Sequence, residues 1–370
     1  MAEIAVMNKE GKAKELQVML HVLPVDNFDV QVGTLCETIK EILCDSLFAD
    51  TLPVFCRCFL SDAANQFQQA KFVISDLLQC TVGYIQQPPL DGSKIALWIQ
   101  MQTGVICQNS GSHALEHNGY THYFSSFTDL EIPESVSYQQ ARWLLEKYEK
   151  QLEDLECSID RHCMRTWFFM RDIDANYKGF VEARKENFIA NGLTKDTHYI
   201  ASTGIQGCAA NHAVKVLMDA YAIKGLEEGQ VTYLYAKDCL NPTYDYGVTF
   251  ERGVQLDYGD RRKVLISGTA SIDNEGVVLY EGDIKKQVIR MWNNVEALLN
   301  EAECTSGDMI QIIVYLRDVA DYHCVKKMFD EKFCGVPALI VLAPICRQGW
   351  LVEMECMASK YLYNSKFRDL

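Results

Sequence analysis

PALIVLAPICRQGWLVEMECMA, residues 337–358, is the stretch whose reading decides the fold. It divides into two apolar strands, 338–343 and 350–357, joined by the polar turn 344–349. In the second strand Glu353 and Glu355 alternate with Val352, Met354 and Cys356, so period-2 geometry puts both acids on one face. Two same-face carboxylates in an otherwise apolar strand are either solvated edge groups or parts of a site. Cys346 and Arg347 stand in the turn just before them, where strand ends usually present chemistry.

Working backward from this pair gives a complete unit. Residues 262–267 read as a strand, and 268–274 lead into a second at 277–280. Asp283 can cap a helix whose apolar positions Val288, Met291, Val295 and Leu298 follow helical spacing. A strand over 310–316 ends in Arg317-Asp318, and a second helix runs through Val325, Met328 and Phe329. The order is strand, strand, helix, strand, helix, strand, strand.

The middle of the chain repeats this order. A helix from Ser137 carries Ala141, Leu144, Tyr148, Leu152 and Leu155 on one face. FMRDIDANYKGFVEARKENF (169–188) and YLRDVADYHCVKKMFDEKF (315–333) share the Arg-Asp pair and the closing Phe with one insertion. Strands at 199–203 and 212–221 finish the copy, and its opening hairpin is expected at 119–130. A weaker third copy comes first in the chain. Its helix one is marked by Leu35, Ile39 and Ile42, a strand over 53–60 ends in Ser61-Asp62, a helix spans 67–78, and strands follow at 82–85 and 95–101. Three matched element orders indicate internal repetition. The expected fold is α+β, three sheet-plus-two-helix units at 1–110, 111–230 and 231–370. Each unit has one bare apolar sheet face, and the three faces close on one another as a single-chain pseudo-trimer. Gln100 and Lys215 are expected to occupy the place of Glu353 in the first two units, so one inter-unit cleft keeps the acid.

A chain of 370 residues with 48% apolar content can fill such cores. Its net charge of −15 argues against nucleic acid as a partner. Residues 1–17 have no apolar run of signal-peptide length, and nothing later reaches membrane-spanning length, so a cytoplasmic, non-membrane protein is expected. The 15 cysteines are an odd number, contain no CxxC and sit in apolar segments, which fits reduced core thiols. His113-Ala-Leu-Glu116-His117 matches a zinc pattern that belongs on a helix, but flanking Gly-Ser and Asn-Gly favour a hairpin. No metal and no cofactor are expected. Nor does GIQG (204–207) have the strand–glycine–helix context of a nucleotide site.

The last unit resembles the RidA/YjgF family, through SGTASI (267–272) and LVEMECMA (351–358). It departs where that family's deaminases place an arginine after Pro-Ala, because Leu339 stands there. A longer stretch resembles the chorismatases, which are RidA-like at their C-terminus. The matching pieces are RTWFF (165–169), STGIQG (202–207), YDYGVTFERG (244–253), LISGTASI (265–272), YLRD (315–318) and APICRQGWLVEME (343–355).

That resemblance implies cofactor-independent cleavage of the enolpyruvyl ether of chorismate, giving pyruvate and a hydroxybenzoate or a dihydroxycyclohexadiene carboxylate. It also implies a catalytic role for Glu353, while Cys346 matches a cysteine of the hydroxybenzoate-forming branch. Protonating an enol ether needs a carboxylic acid kept neutral by an apolar pocket, and Glu353 has that setting. Arginines suit a dicarboxylate because each can bind bidentately. Arg317 and Arg252 are the first candidates, then Arg165 and Arg347, with Tyr244 and Tyr246 to orient the substrate and Gly268 and Thr269 to donate hydrogen bonds. The alternatives are a RidA-like hydrolase or deaminase acting on another small acid, and a non-catalytic small-acid binding protein. Internal closure implies a monomer or loose dimer.

Overall fold

The computed structural model describes residues 1–24, 27–109, 112–131 and 135–370, and the side chains of all of these except Asn109 and Tyr246. In the first unit, strands β1 (Ala2–Met7) and β2 (Glu15–Leu20) form a hairpin, followed by helix α1 (Phe28–Cys44), β3 (Leu52–Leu60), α2 (Ala63–Leu78), β4 (Thr81–Gln86) and β5 (Ile95–Gln102). The second contains β6 (Val105–Asn109), β7 (Ser112–His117), β8 (Tyr120–Phe127), α3 (Ser137–Asp154), the single turn α4 (Ile159–His162), β9 (Cys163–Met170), α5 (Ile173–Ala190), β10 (Ala201–Gln206) and β11 (Val216–Lys224). The third contains β12 (Val231–Leu234), β13 (Gly253–Asp257), β14 (Arg261–Ala270), α6 (Ile284–Glu301), β15 (Met309–Leu316), α7 (Tyr322–Lys332), β16 (Ala338–Leu342) and β17 (Val352–Tyr361).

The sheet orders β1-β2-β5-β3-β4, β7-β8-β11-β9-β10 and β13-β14-β17-β15-β16 are the same order written three times, with β6 and β12 added as outer edges. In each, the strand between the two helices pairs parallel with the one after the second helix. The expected three-unit α+β architecture is therefore present. The pair 338–342 and 352–361 brackets the turn as the alternation predicts. Asp283 caps α6 by accepting the Lys286 backbone N–H.

Three expectations are corrected. The opening hairpin of the third unit is β13–β14, turning at Tyr258-Gly259-Asp260, and Val277–Tyr280 forms no strand beyond a single bridge, Ile272 to Val278. Likewise the second unit opens one strand earlier than expected, with β7 and β8 turning at Asn118-Gly119. The register also differs. Glu353 lies opposite Tyr315, whose counterparts by the shared RD and SD pairs are Phe59 and Phe169; these lie opposite Ala96 and Leu217, not Gln100 and Lys215. The counterparts of Glu355 are Trp98 and Asp219.

The edge strands β4, β10 and β16 each reach the next unit around the ring, through the bridges Gln86 to Cys208, Ile205 to Ile345 and Val341 to Pro89. The helices cover the outer sheet faces and the bare faces meet at the centre. Phe55, Trp98 and Trp167 pack there with ring centroids 5.7–6.3 Å apart. In their midst lies the fully buried guanidinium of Arg57, 4.7 Å from the Trp167 ring and 5.2 Å from that of Trp98.

Arg57 Nε donates to Asp219 at 2.9 Å, and its Nη1 stands 3.8 Å from Glu355. Glu355 also accepts Arg165 Nη2 at 2.9 Å, Trp167 Nε1 at 2.8 Å and the Thr203 hydroxyl at 2.5 Å. Two cations and two anions from all three units thus balance at the axis. Asp219→Ala would leave Arg57 without that partner among aromatic rings. The expected loss in urea titration is about 3–5 kcal/mol, largely recovered in the Asp219→Ala/Arg57→Leu double variant. A single-variant loss below about 1 kcal/mol would equate the pair with an exposed one.

Candidate active site

The β14–β17 and β15–β17 pairings set Glu353 opposite Ala270 on one side and Tyr315 on the other. Its side chain projects into a cavity of about 140 Å³ between the second and third units. Gly268 makes this possible: a methyl group there would overlap the Glu353 carboxyl and crowd Thr203. Glu353 is buried, 5% exposed as a residue. Burial, helped by the Glu355 charge and opposed by Arg252 and Arg165, pushes it up to about 8. At neutral pH it is therefore mostly a carboxylic acid.

Three arginines line the same cavity. Arg252 Nη2 donates to the carbonyl and the side-chain oxygen of Asn241, both at 3.1 Å. Arg184 Nη1 lies 3.4 Å from the Ser202 hydroxyl. The Phe250 ring lies against both, at 5.4 and 6.0 Å. Arg347 donates to the Gly276 carbonyl at 3.0 Å and lies over the Trp350 ring. Tyr177, Gly204 and Cys346 complete the wall, and burial pushes the Cys346 thiol up to about 12. A thiol at that value stays neutral, so its contribution is shape rather than nucleophilicity.

Of the residues singled out from the sequence, Glu353, Cys346, Arg252, Arg347 and Gly268 line the cavity. Arg165 does not: it is buried at the axis and holds Glu355. Arg317 lies outside the lining, pairs with Asp174 at 3.2 Å and donates to the carbonyls of Ile345 and Trp350, bracing the loop that carries Cys346 and Arg347. Tyr244 is 43% exposed in the short turn Thr243–Tyr246, and the Tyr246 side chain is outside the described residues. Neither Gly268 nor Thr269 offers a spare donor. The Gly268 N–H is given to Thr203 and the Thr269 hydroxyl to the Ser267 carbonyl. The segment from His113 to His117 is strand, so alternation sends Glu116 to the face opposite both histidines, unlike the helical zinc pattern.

Arg184, Tyr177 and Ser202 were not read from the sequence. A signal existed for the first: Phe180, Arg184 and Phe188 recur at four-residue spacing, which sets an arginine within the buried stripe of α5.

Residues 253–360 match the family described as Endoribonuclease L-PSP. A RutC family protein of Pyrococcus abyssi is 31% identical over 99 residues, which are 26% of this chain and 78% of that protein. Protein DfrA of Myxococcus xanthus is 24% identical over 112 residues, 30% of this chain and 83% of the relative. The chain belongs to the RutC family, through its third unit. Over 83% of its length the chain has the fold of a chorismatase crystal structure, with a TM-score of 0.66 at 16% identity and 93% of the other chain covered.

The acid state of Glu353 is directly measurable. Carboxyl-carbon NMR should find two glutamates titrating late. One is Glu353 near pH 8; the other is Glu251, which burial pushes to about 7 against the Tyr199 N–H and the Arg252 charge. The later signal should vanish in Glu353→Gln. Complete ionisation of all glutamates by pH 6 would contradict the buried acid.

Proposed function

We propose that the protein is an enzyme of the chorismatase kind, hydrolysing the enolpyruvyl ether of chorismate with Glu353 as general acid. The observation that carries this reading is a buried carboxyl, Glu353, in a cavity that Arg184, Arg252 and Arg347 also line, where burial pushes the acid up to about 8. A substrate with two carboxylates suits the guanidinium groups, and the uncharged Glu353 carboxyl can give a proton at neutral pH.

The reaction runs as follows. The Glu353 O–H bond breaks and its proton goes to the methylene carbon of the enol ether, whose π electrons form the new C–H bond. The adjacent carbon becomes an oxocarbenium ion, next to a carboxylate held by arginine. Water adds to that carbon and loses a proton to the Glu353 carboxylate. In the resulting hemiketal the bond from that carbon to the ring oxygen breaks as Glu353 gives its proton to that oxygen and takes back the hemiketal hydroxyl proton, releasing pyruvate and the ring alcohol. Capture of the cation by the ring hydroxyl instead of water opens the route to a hydroxybenzoate. The neutral Cys346 thiol and the Trp350 indole shape the ring end of the cavity, and that shape selects between the two captures.

Glu353→Gln keeps shape and removes the transferable proton. Pyruvate release from chorismate should fall on the order of 10²–10⁴-fold, with KM little changed. Arg252→Ala should raise KM as well as lower kcat. Wild-type turnover in Glu353→Gln, in a preparation where the wild type is active, would remove the mechanism.

The pH dependence has a definite sign. The protonated form of Glu353 is the active one, so kcat should hold through neutrality and decline as pH rises past about 8. A rate that climbs through pH 8 would assign the carboxylate to base catalysis instead.

A further inference from the structure

The ring has a second cleft, between the third unit and the first, and it is the pseudo-threefold counterpart of the Glu353 cavity. In both, one wall is the helix after the RD pair and the strand that follows it, α5 and β10 in one case, α7 and β16 in the other. The opposite wall comes from the hairpin strands of the next unit, here β1 and the segment following β2. The cleft encloses about 580 Å³, against about 140 Å³ for the first.

Residue by residue, the chemistry is inverted. Counting back from Phe188 and Phe333, Tyr177 corresponds to Tyr322 and Arg184 to Phe329. Through the paired registers, Ser202, Thr203 and Gly204 correspond to Ala338, Leu339 and Ile340. Glu353 corresponds to Ala96. The tyrosine is kept, while the arginine, the two hydroxyls and the acid have become apolar. In the third seam, between the first and second units, Tyr84 takes the place of Gly204, and its buried ring packs on Phe67.

The charged groups at the rim are of both signs and are tied to one another or to the backbone, the Met1 amino group donating to the His21 carbonyl at 2.7 Å. Asp330 holds Lys326 at 2.5 Å, Asp91 holds His21 at 3.1 Å, and Glu3 accepts the Ala338 N–H at 3.0 Å. Burial and the nearby Asp91 and Asp330 push the Tyr322 phenol up to about 12, so it remains a neutral hydroxyl. Mutually paired charges around an apolar wall give an anion little net attraction, whereas the arginines of the first cavity attract one. A large cavity with an apolar lining and a few polar groups is the usual form of a small-molecule site.

We propose that the cleft bounded by Ile4, Val22, Phe329, Val336 and Leu339 is a second ligand site, taking a neutral, largely apolar molecule of aromatic size with one hydroxyl. Aliphatic and aromatic side chains enclose the ring body, and the hydroxyl meets Tyr322 or the Asp91–His21 pair. The site is independent of the Glu353 chemistry and stands whether or not the protein cleaves chorismate.

The test uses 2-naphthol as a fluorescent neutral probe and 2-naphthoate as its anionic counterpart, on the intact chain. 2-Naphthol should bind saturably and at least tenfold more tightly than 2-naphthoate. Val336→Trp and Ile4→Trp fill the cleft from its two sides. Each should weaken 2-naphthol binding tenfold or more while the rate of pyruvate release, where present, stays unchanged. Arg252→Ala, in the other cavity, should leave 2-naphthol binding intact. Absence of saturable binding, equal affinity for the two probes, or binding that survives both tryptophan variants would each overturn the proposal. Loss of binding in Arg252→Ala would put the probe in the first cavity and overturn it as well.

Discussion

The buried charge cluster at the axis is the constraint on which the rest of the structure depends. Arg57 comes from the first unit, Arg165 and Asp219 from the second, and Glu355 from the third. Their desolvation is unfavourable unless all are present in good geometry. Apolar packing alone would hold three sheets face to face in several registers, since large rings tolerate sliding. The cluster does not, because a shift of one residue would send Asp219 or Glu355 to the helix side of its sheet. It also couples the axis to the cavity, as Glu355 and Glu353 are neighbours on one face of β17, and the Glu355 charge helps keep Glu353 protonated.

Repetition within one chain frees each inter-unit cleft from the others. In an assembly of identical subunits, any change in one cleft appears in all three. Here one keeps an acid among arginines, one has become a wide apolar cleft, and in one Tyr84 stands where the first has a glycine. The helix that supplies Arg184 to the first supplies Phe329 to the second through its counterpart. A single sheet-and-helix frame thus supports two opposite polarities.

Element order and the repeat were legible in the sequence because they rest on local periodicity and on the recurring RD pair. The Glu353 strand was legible for the same reason. The register between units was not: alternation fixes a face, but any even shift preserves it, so it admits Gln100 as readily as Ala96, and the strand pairing alone separates them. The third unit's opening hairpin was misplaced because Gly253–Asp257 is short and half polar, while 277–280 has the more apolar run. Arg165 and Arg317 stood in matching motifs, but their partners, Glu355 and Asp174, lie 190 and 143 residues away. Nothing local distinguishes an arginine that binds a ligand from one that binds its own chain.

The order in which the axis assembles bears on how the chain is made. Arg57 leaves the ribosome 162 residues ahead of Asp219, and Arg165 190 residues ahead of Glu355. Until then the first sheet presents Phe55 and Trp98 on a bare face, the kind of surface on which nascent chains aggregate. The guanidinium at the middle of that face is hydrated while it waits. A charge that is costly in the finished core therefore favours hydration of the unfinished sheet, and its partners arrive in turn, Asp219 with the second unit and Glu355 with the third.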